Sequence, residues 1–131
     1  MEDIDSYRKK YDNFNMYNDL IGFPIQISYM LSYFSDYKFL HKYDSIRNIV
    51  ILGMGGSAIS GDICRILLNN EIEVPIIVNR SYNIPKWINQ NSLVIASSFS
   101  GDTQETLSAF KRCVNSNAKI ISISTGGELI R

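Results

Sequence analysis

At 131 residues, 45% hydrophobic and 20% charged, with a formal charge of zero, the chain has the size and apolar content of one compact domain around a single core. That balance excludes a disordered tail, and without a basic block nothing draws the chain to a nucleic-acid backbone or an anionic membrane surface. The opening MEDIDSYRKKYDNF begins acidic and lacks an apolar run, so it reads as neither signal peptide nor membrane span, and a cytoplasmic location is expected.

In chain order, the first feature is MYNDLIGFPIQISYMLSYF, residues 16–34, which carries Leu20, Phe23, Ile27, Met30, Leu31 and Phe34 close to the helical period. The spacing predicts a helical N-terminal extension over residues 1–44 that packs on the domain through this aromatic stripe, as core or dimer contact rather than a cofactor box. Pro24 is expected in a first turn or at a break between two helices. His41, the single histidine, precedes the first strand with no partner in view, and reads as a surface or boundary residue rather than a catalyst.

From Asn48 onward, short β-branched runs alternate with helical patterns. NIVIL (48–52), VPIIV (74–78), SLVIAS (92–97) and AKIISIS (118–124) are continuous rather than alternating, which means burial on both faces, as in parallel strands covered by helices. Between the first two runs, Ile59, Ile63, Ile66 and Leu67 fall at helical spacing; between the last two, Leu107, Phe110 and Val114 do the same. Asp102 is the expected N-cap of that second helix, with Glu105 three residues on completing a capping box. NRSYNIPKWINQN (79–91) holds at most a short helix. Cys64 and Cys113 each lie in a predicted helix, without CxxC or histidine nearby, so both read as small buried hydrophobes rather than zinc ligands or a redox pair. The fold class is α/β: a flavodoxin-like, three-layer parallel sheet over residues 45–131.

Two turns carry the chemistry. GMGGSAISGD (53–62) follows the first strand and opens a helix, where glycines let backbone N–H groups approach an anion and the helix N-terminus adds positive potential. Gly53, Gly55 and Ala58 also satisfy a dinucleotide fingerprint, with Arg80 after the second strand as a candidate for a 2′-phosphate, and glycine can serve such a turn for geometry alone. The second turn favours a phosphorylated ligand. SSFSGDTQET (97–106) places Ser98, Ser100 and Thr103 hydroxyls around Gly101 at another helix start, a neutral cup that needs no lysine and that dinucleotide folds do not require. In a 2-1-3-4-5 strand order the first and third strands are neighbours at the switch point, where ligands bind beyond the strands' carboxyl ends. Both turns follow those two strands. Asp102, beside the cup, would repel a phosphate dianion if it faced it, so its carboxylate is expected to turn to the N–H groups of its helix.

The set GMGGSAISGD, NRSYNIP, LVIASSFSGDTQETL and ISISTGGELI, with FPIQI upstream, resembles the bifunctional phosphoglucose/phosphomannose isomerases of the sugar isomerase (SIS) superfamily, from about Met16 onward. The resemblance implies a first SIS domain that binds a hexose 6-phosphate. Gly55, Gly56 and Ser57 match the contacts along the sugar, and Ser98, Ser100 and Thr103 match the phosphate cup; Asp102 stands where asparagine is frequent. It further implies interconversion of fructose 6-phosphate with glucose 6-phosphate and mannose 6-phosphate through an enediol, without metal or nucleotide cofactor. The family's glutamate base, histidine and arginine have no matching positions here. The expectation is therefore a binding part whose sheet lacks the last strand, with no catalytic residue in this chain, and which associates with itself or with a second SIS half. A regulatory sugar-phosphate-binding module is the alternative.

Overall fold

The computed structural model describes residues 3–39, 43 and 45–131, and His41 lies outside the described residues. The chain forms two compact units, Met1–Lys42 and Tyr43–Arg131. The first holds α1 (Ile4–Tyr11) and α2 (Met16–Phe34). Asp3 caps α1, accepting from the Asp5 N–H at 3.4 Å. Asp12 closes the turn between the helices by accepting from the Met16 and Tyr17 amides at 2.7 and 2.9 Å. Both are free donors of a helix start. Arg8 then clasps α2, its guanidinium 3.8 Å above the Tyr17 ring and bonded to Asn18 at 2.9 Å.

Pro24 neither starts nor breaks a helix: α2 runs through it. Proline removes one N–H from the ladder, the donor to the Leu20 carbonyl, and the Pro24 carbonyl itself accepts from the Ser28 hydroxyl at 3.0 Å. No described residue of α2 is buried, and Phe23, Ile27, Met30, Leu31 and Phe34 line a groove along it.

The second unit is a four-stranded parallel sheet in the order β2-β1-β3-β4: β1 (Asn48–Leu52), β2 (Ile76–Asn79), β3 (Ser92–Ser97) and β4 (Lys119–Ile123). Two helices, α3 (Gly55–Leu68) and α4 (Gln104–Asn115), provide the first and last crossovers. The predicted first and third runs coincide with β1 and β3. The second starts later because Pro75 has no N–H to donate; its carbonyl still accepts from Ile49 at 2.9 Å. The 79–91 connection forms turns and no helix.

Period-two alternation divides the sheet's faces. Val50, Leu52, Val94 and Ala96 face α4 and make one core with Leu107, Ala109 and Cys113, joined by Ile88 from the 79–91 connection and by Leu129. Val50, Leu52 and Val94 are fully buried, each contributing about 1.5–3 kcal/mol as an upper estimate. The other face meets α3 through small residues. Ala58 and Gly61 are the buried positions of that helix, and a Cβ on Gly61 would stand 3.0 Å from Ile51 Cγ2 and 3.2 Å from Val78 Cγ2. Helices on both faces give the three layers.

The isoleucine stripe that predicted α3 is not what meets the sheet. Ile59, Ile63, Ile66 and Leu67 are exposed, because close helix–sheet approach selects the small side of the helix. Periodicity reports an apolar face, not the neighbour it finds. In α4, Leu107 is core, Phe110 packs on it and Val114 is exposed. The cysteines separate likewise: Cys113 is buried, whereas Cys64 is exposed, against the expectation for it. Among the described residues no helix is long and apolar enough to cross a membrane.

Candidate functional site

Parallel strands deliver their carboxyl ends to one edge of the sheet, and there β1 and β3 lie side by side in register, Leu52 opposite Ala96. Adjacent strands are about 4.8 Å apart, so the turns that leave them open onto one crevice. The order β2-β1-β3-β4 makes that crevice the switch point, since the chain leaves β1 toward β2 through α3 and leaves β3 toward β4 through α4.

The first turn is glycine-built for two distinct reasons. Gly53 is pressed on α3, where a Cβ would lie 3.1 Å from Ser57. Gly55 has φ +50°, and neither it nor Gly56 has any atom within 4 Å of a Cβ position. The backbone at Gly55 and Gly56 is thus open to a ligand. Met54, the N-cap residue of α3, supplies no side-chain acceptor; its carbonyl accepts from the Ser57 and Ala58 amides at 3.1 and 3.4 Å, which leaves the first two N–H groups, those of Gly55 and Gly56, to an incoming anion. Ser57 sits in that first turn.

The second turn is more constrained. Ser98, 3% exposed, has its hydroxyl 3.0 Å from that of Thr103 and accepts from the Gly101 amide at 3.1 Å. Ser100 accepts from the Asp102 amide at 3.3 Å. The three predicted hydroxyls are therefore tied into one loop, with Ser98 and Thr103 in direct contact. Gly101 has φ +75°, and a Cβ there would collide with the Gly126 carbonyl, so no other residue fits. Thr103, not Asp102, is the N-cap of α4, and its side chain makes no capping bond. The start of α4, like that of α3, has no side-chain cap.

The capping box is absent. Glu105 instead receives the Tyr82 hydroxyl, which raises the Tyr82 pKa because phenolate formation would break that bond and face the carboxylate charge. Asp102 turns away from α4 altogether and accepts from the Glu128 amide at 2.9 Å. Arg80 forms an ion pair with Asp62 and donates to the Ala58 carbonyl at 3.4 Å. It is committed to holding α3 rather than presented to a 2′-phosphate. Arg47 lies at the opposite end of β1, its amide bonded to the Asn91 carbonyl, far along the strand from the two turns.

Sequence reading missed the segment behind the cup. Phe99 O accepts from the Thr125 amide at 3.2 Å, its hydroxyl at 2.6 Å and the Ser124 hydroxyl at 3.3 Å, while Gly101 O accepts from the Leu129 amide at 3.0 Å. Ser98 N donates to Ile123 O at 3.1 Å. The signal was the TGG at 125–127, which reads only as another turn until β4 is paired beside β3.

The chain is similar to known proteins. A bifunctional phosphoglucose/phosphomannose isomerase of Caldicellulosiruptor bescii is 40% identical over 114 residues, covering 87% of this chain and 34% of the relative. The chain is a homologue of part of the bifunctional phosphoglucose/phosphomannose isomerases. It spans about a third of the length of that curated relative. The Thermoplasma acidophilum enzyme of the same name is 44% identical over 85 residues, 65% of this chain and 26% of that protein. Among solved structures, a candidate phosphosugar isomerase of Clostridium difficile 630 superposes with a TM-score of 0.62 at 25% identity, over 79% of this chain and 30% of that one. No family model matches the chain.

Proposed function

We propose that residues 1–131 are the hexose 6-phosphate-binding part of an isomerase that interconverts fructose 6-phosphate with glucose 6-phosphate and mannose 6-phosphate. The phosphate sits against Ser98, Ser100 and Thr103 at the start of α4, and the sugar runs along Gly55, Gly56 and Ser57. The observation that carries this reading is the pair of uncapped helix starts on one crevice, one with a hydroxyl cup and one with open glycine backbone. An oxyanion needs several converging donors, and this edge offers both hydroxyls and amides without a metal or a lysine.

Proton transfer between C1 and C2 needs a base poised over the sugar. The carboxylates nearest the turns are engaged elsewhere: Asp102 with the Glu128 amide, Glu105 with Tyr82, Glu128 with Lys111 at 2.6 Å. We therefore assign binding to this chain and no catalytic residue within it. The exposed stripe of Ile59, Ile63, Ile66 and Leu67 supports association with a second copy or a second SIS half. A phosphorus NMR time course of fructose 6-phosphate with the purified chain tests the assignment. A shifted or broadened substrate line without new aldose phosphate resonances is expected. Turnover by the chain alone would show a base among its own residues, and an unchanged line would remove the binding site.

A further inference from the structure

An anion site flanked by an aspartate poses an electrostatic problem. Asp102 lies between Gly101 and Thr103 in the cup itself, and Glu128 comes within one hydrogen bond of it. Two carboxylates beside a phosphate dianion would oppose binding by like-charge repulsion unless each is turned away and compensated. The structure disposes of both. Glu128 forms an ion pair with Lys111 at 2.6 Å, and Asp102 Oδ1 accepts from the Glu128 amide at 2.9 Å.

That amide opens the short 3-10 helix Glu128–Ile130, whose Leu129 is buried in the core and whose Leu129 amide donates to Gly101 O at 3.0 Å. The fit is close. A Cβ on Gly127 would collide with the Ser100 carbonyl and stand 2.8 Å from Asp102 Oδ1, so the 126–129 backbone is seated directly on the Ser100–Asp102 backbone. Gly127 has φ +73°, a conformation that glycine takes without strain and that turns the chain into this contact.

We propose that Asp102 is a positioning residue: by holding the Glu128 amide it clamps the 126–129 segment onto the Ser98–Thr103 loop and presets the hydroxyl cup for a phosphate. The proposal rests on the phosphate reading above. Its physical content is preorganisation. A loop already held in its binding geometry loses less conformational freedom when the anion arrives, and that saving appears as affinity. The carboxylate contributes through its acceptor oxygen, not through its charge, which only works against the ligand.

Variants at the two ends of this hydrogen bond separate these roles, read by titration with glucose 6-phosphate well below the unfolding temperature. Asp102→Ala, which removes the acceptor, is expected to bind about fivefold to tenfold more weakly, the order of one lost hydrogen bond. Asp102→Asn keeps an oxygen acceptor and removes the charge, so it retains wild-type affinity or better. Glu128→Pro deletes the donor while leaving Asp102 in place, at a first helical position that proline tolerates, and should reproduce the loss relative to Glu128→Ala, which removes the same carboxylate but keeps the amide; combined with Asp102→Ala it should add nothing further. Amide exchange gives a second readout. In Asp102→Ala the Glu128 and Leu129 amides exchange faster than in wild type, and saturating glucose 6-phosphate restores their protection.

If Asp102→Ala binds as tightly as wild type or tighter, Asp102 is only a repulsive neighbour and the proposal falls while the phosphate site stands. If Asp102→Asn weakens binding as much as Asp102→Ala, the charge matters and the acceptor role is wrong. If wild type itself does not bind, the phosphate reading fails and takes this inference with it.

Discussion

Replacing Ser98 by alanine should damage the loop before any ligand is present. The Ser98 hydroxyl is the acceptor for the Gly101 amide at 3.1 Å and lies 3.0 Å from the Thr103 hydroxyl. Gly101 is buried, so its N–H would lose that acceptor away from solvent, at a cost of about 1–3 kcal/mol. Thr103 is half-buried and its hydroxyl can turn to water, which adds little. The volume removed is one oxygen, so no cavity term of consequence follows. A central figure of about 2 kcal/mol lowers the melting temperature of a unit of this size by roughly 8–16 °C. Urea unfolding followed by the fluorescence of Trp87, the single tryptophan, measures the change. Ser100→Ala is the control, because Ser100 is exposed and its one bond, to the Asp102 amide, is 3.3 Å long; its stability should stay within about 0.5 kcal/mol of wild type. Both variants should bind glucose 6-phosphate more weakly. A Ser98→Ala protein as stable as wild type would refute the buried network on which the cup is built.

Gly61→Leu should destabilise the sheet unit by about 1–3 kcal/mol by driving α3 off Ile51 and Val78, measured in the same urea titration; a neutral result would mean that the helix rides higher on the sheet than its 3.0 Å approach implies. Burial pushes the Cys113 thiol up to about 11 from 9.0. The unfolded chain therefore loses that proton first, so this contribution to stability is intact below pH 9 and is lost as pH rises from 9 toward 11. Cys113→Ala should flatten that part of the stability curve. Consistent with this, a thiol reagent at neutral pH should modify the exposed Cys64 in the folded chain and reach Cys113 only on unfolding.

The strands were legible because burial on both faces leaves continuous β-branched runs; the later start of β2 follows from the missing N–H of Pro75, and β4 is one residue shorter at each end than its predicted run. The two turns were legible as turns because glycine and hydroxyl residues cluster directly after β1 and β3. What escaped was tertiary in origin. Nothing local distinguishes the isoleucine side of α3 from its Ala58 and Gly61 side, and only the sheet decides which is buried. Asp102 followed by a helix and by Glu105 has the spacing of a capping box, yet Thr103 takes the cap position and each carboxylate is drawn to a partner distant in sequence: the Glu128 amide for one, Tyr82 for the other. Pro24 inside α2 shows the same limit, since an exposed helix can carry a missing donor that a buried one could not.

The most direct test of the two-turn site is amide chemical-shift mapping of the isotope-labelled chain titrated with glucose 6-phosphate. Saturable shifts concentrated at Gly55–Ser57 and at Ser98, Ser100, Gly101 and Thr103, largest in the second group, are the predicted result. Shifts confined to other surfaces, or none at millimolar ligand, would contradict the account.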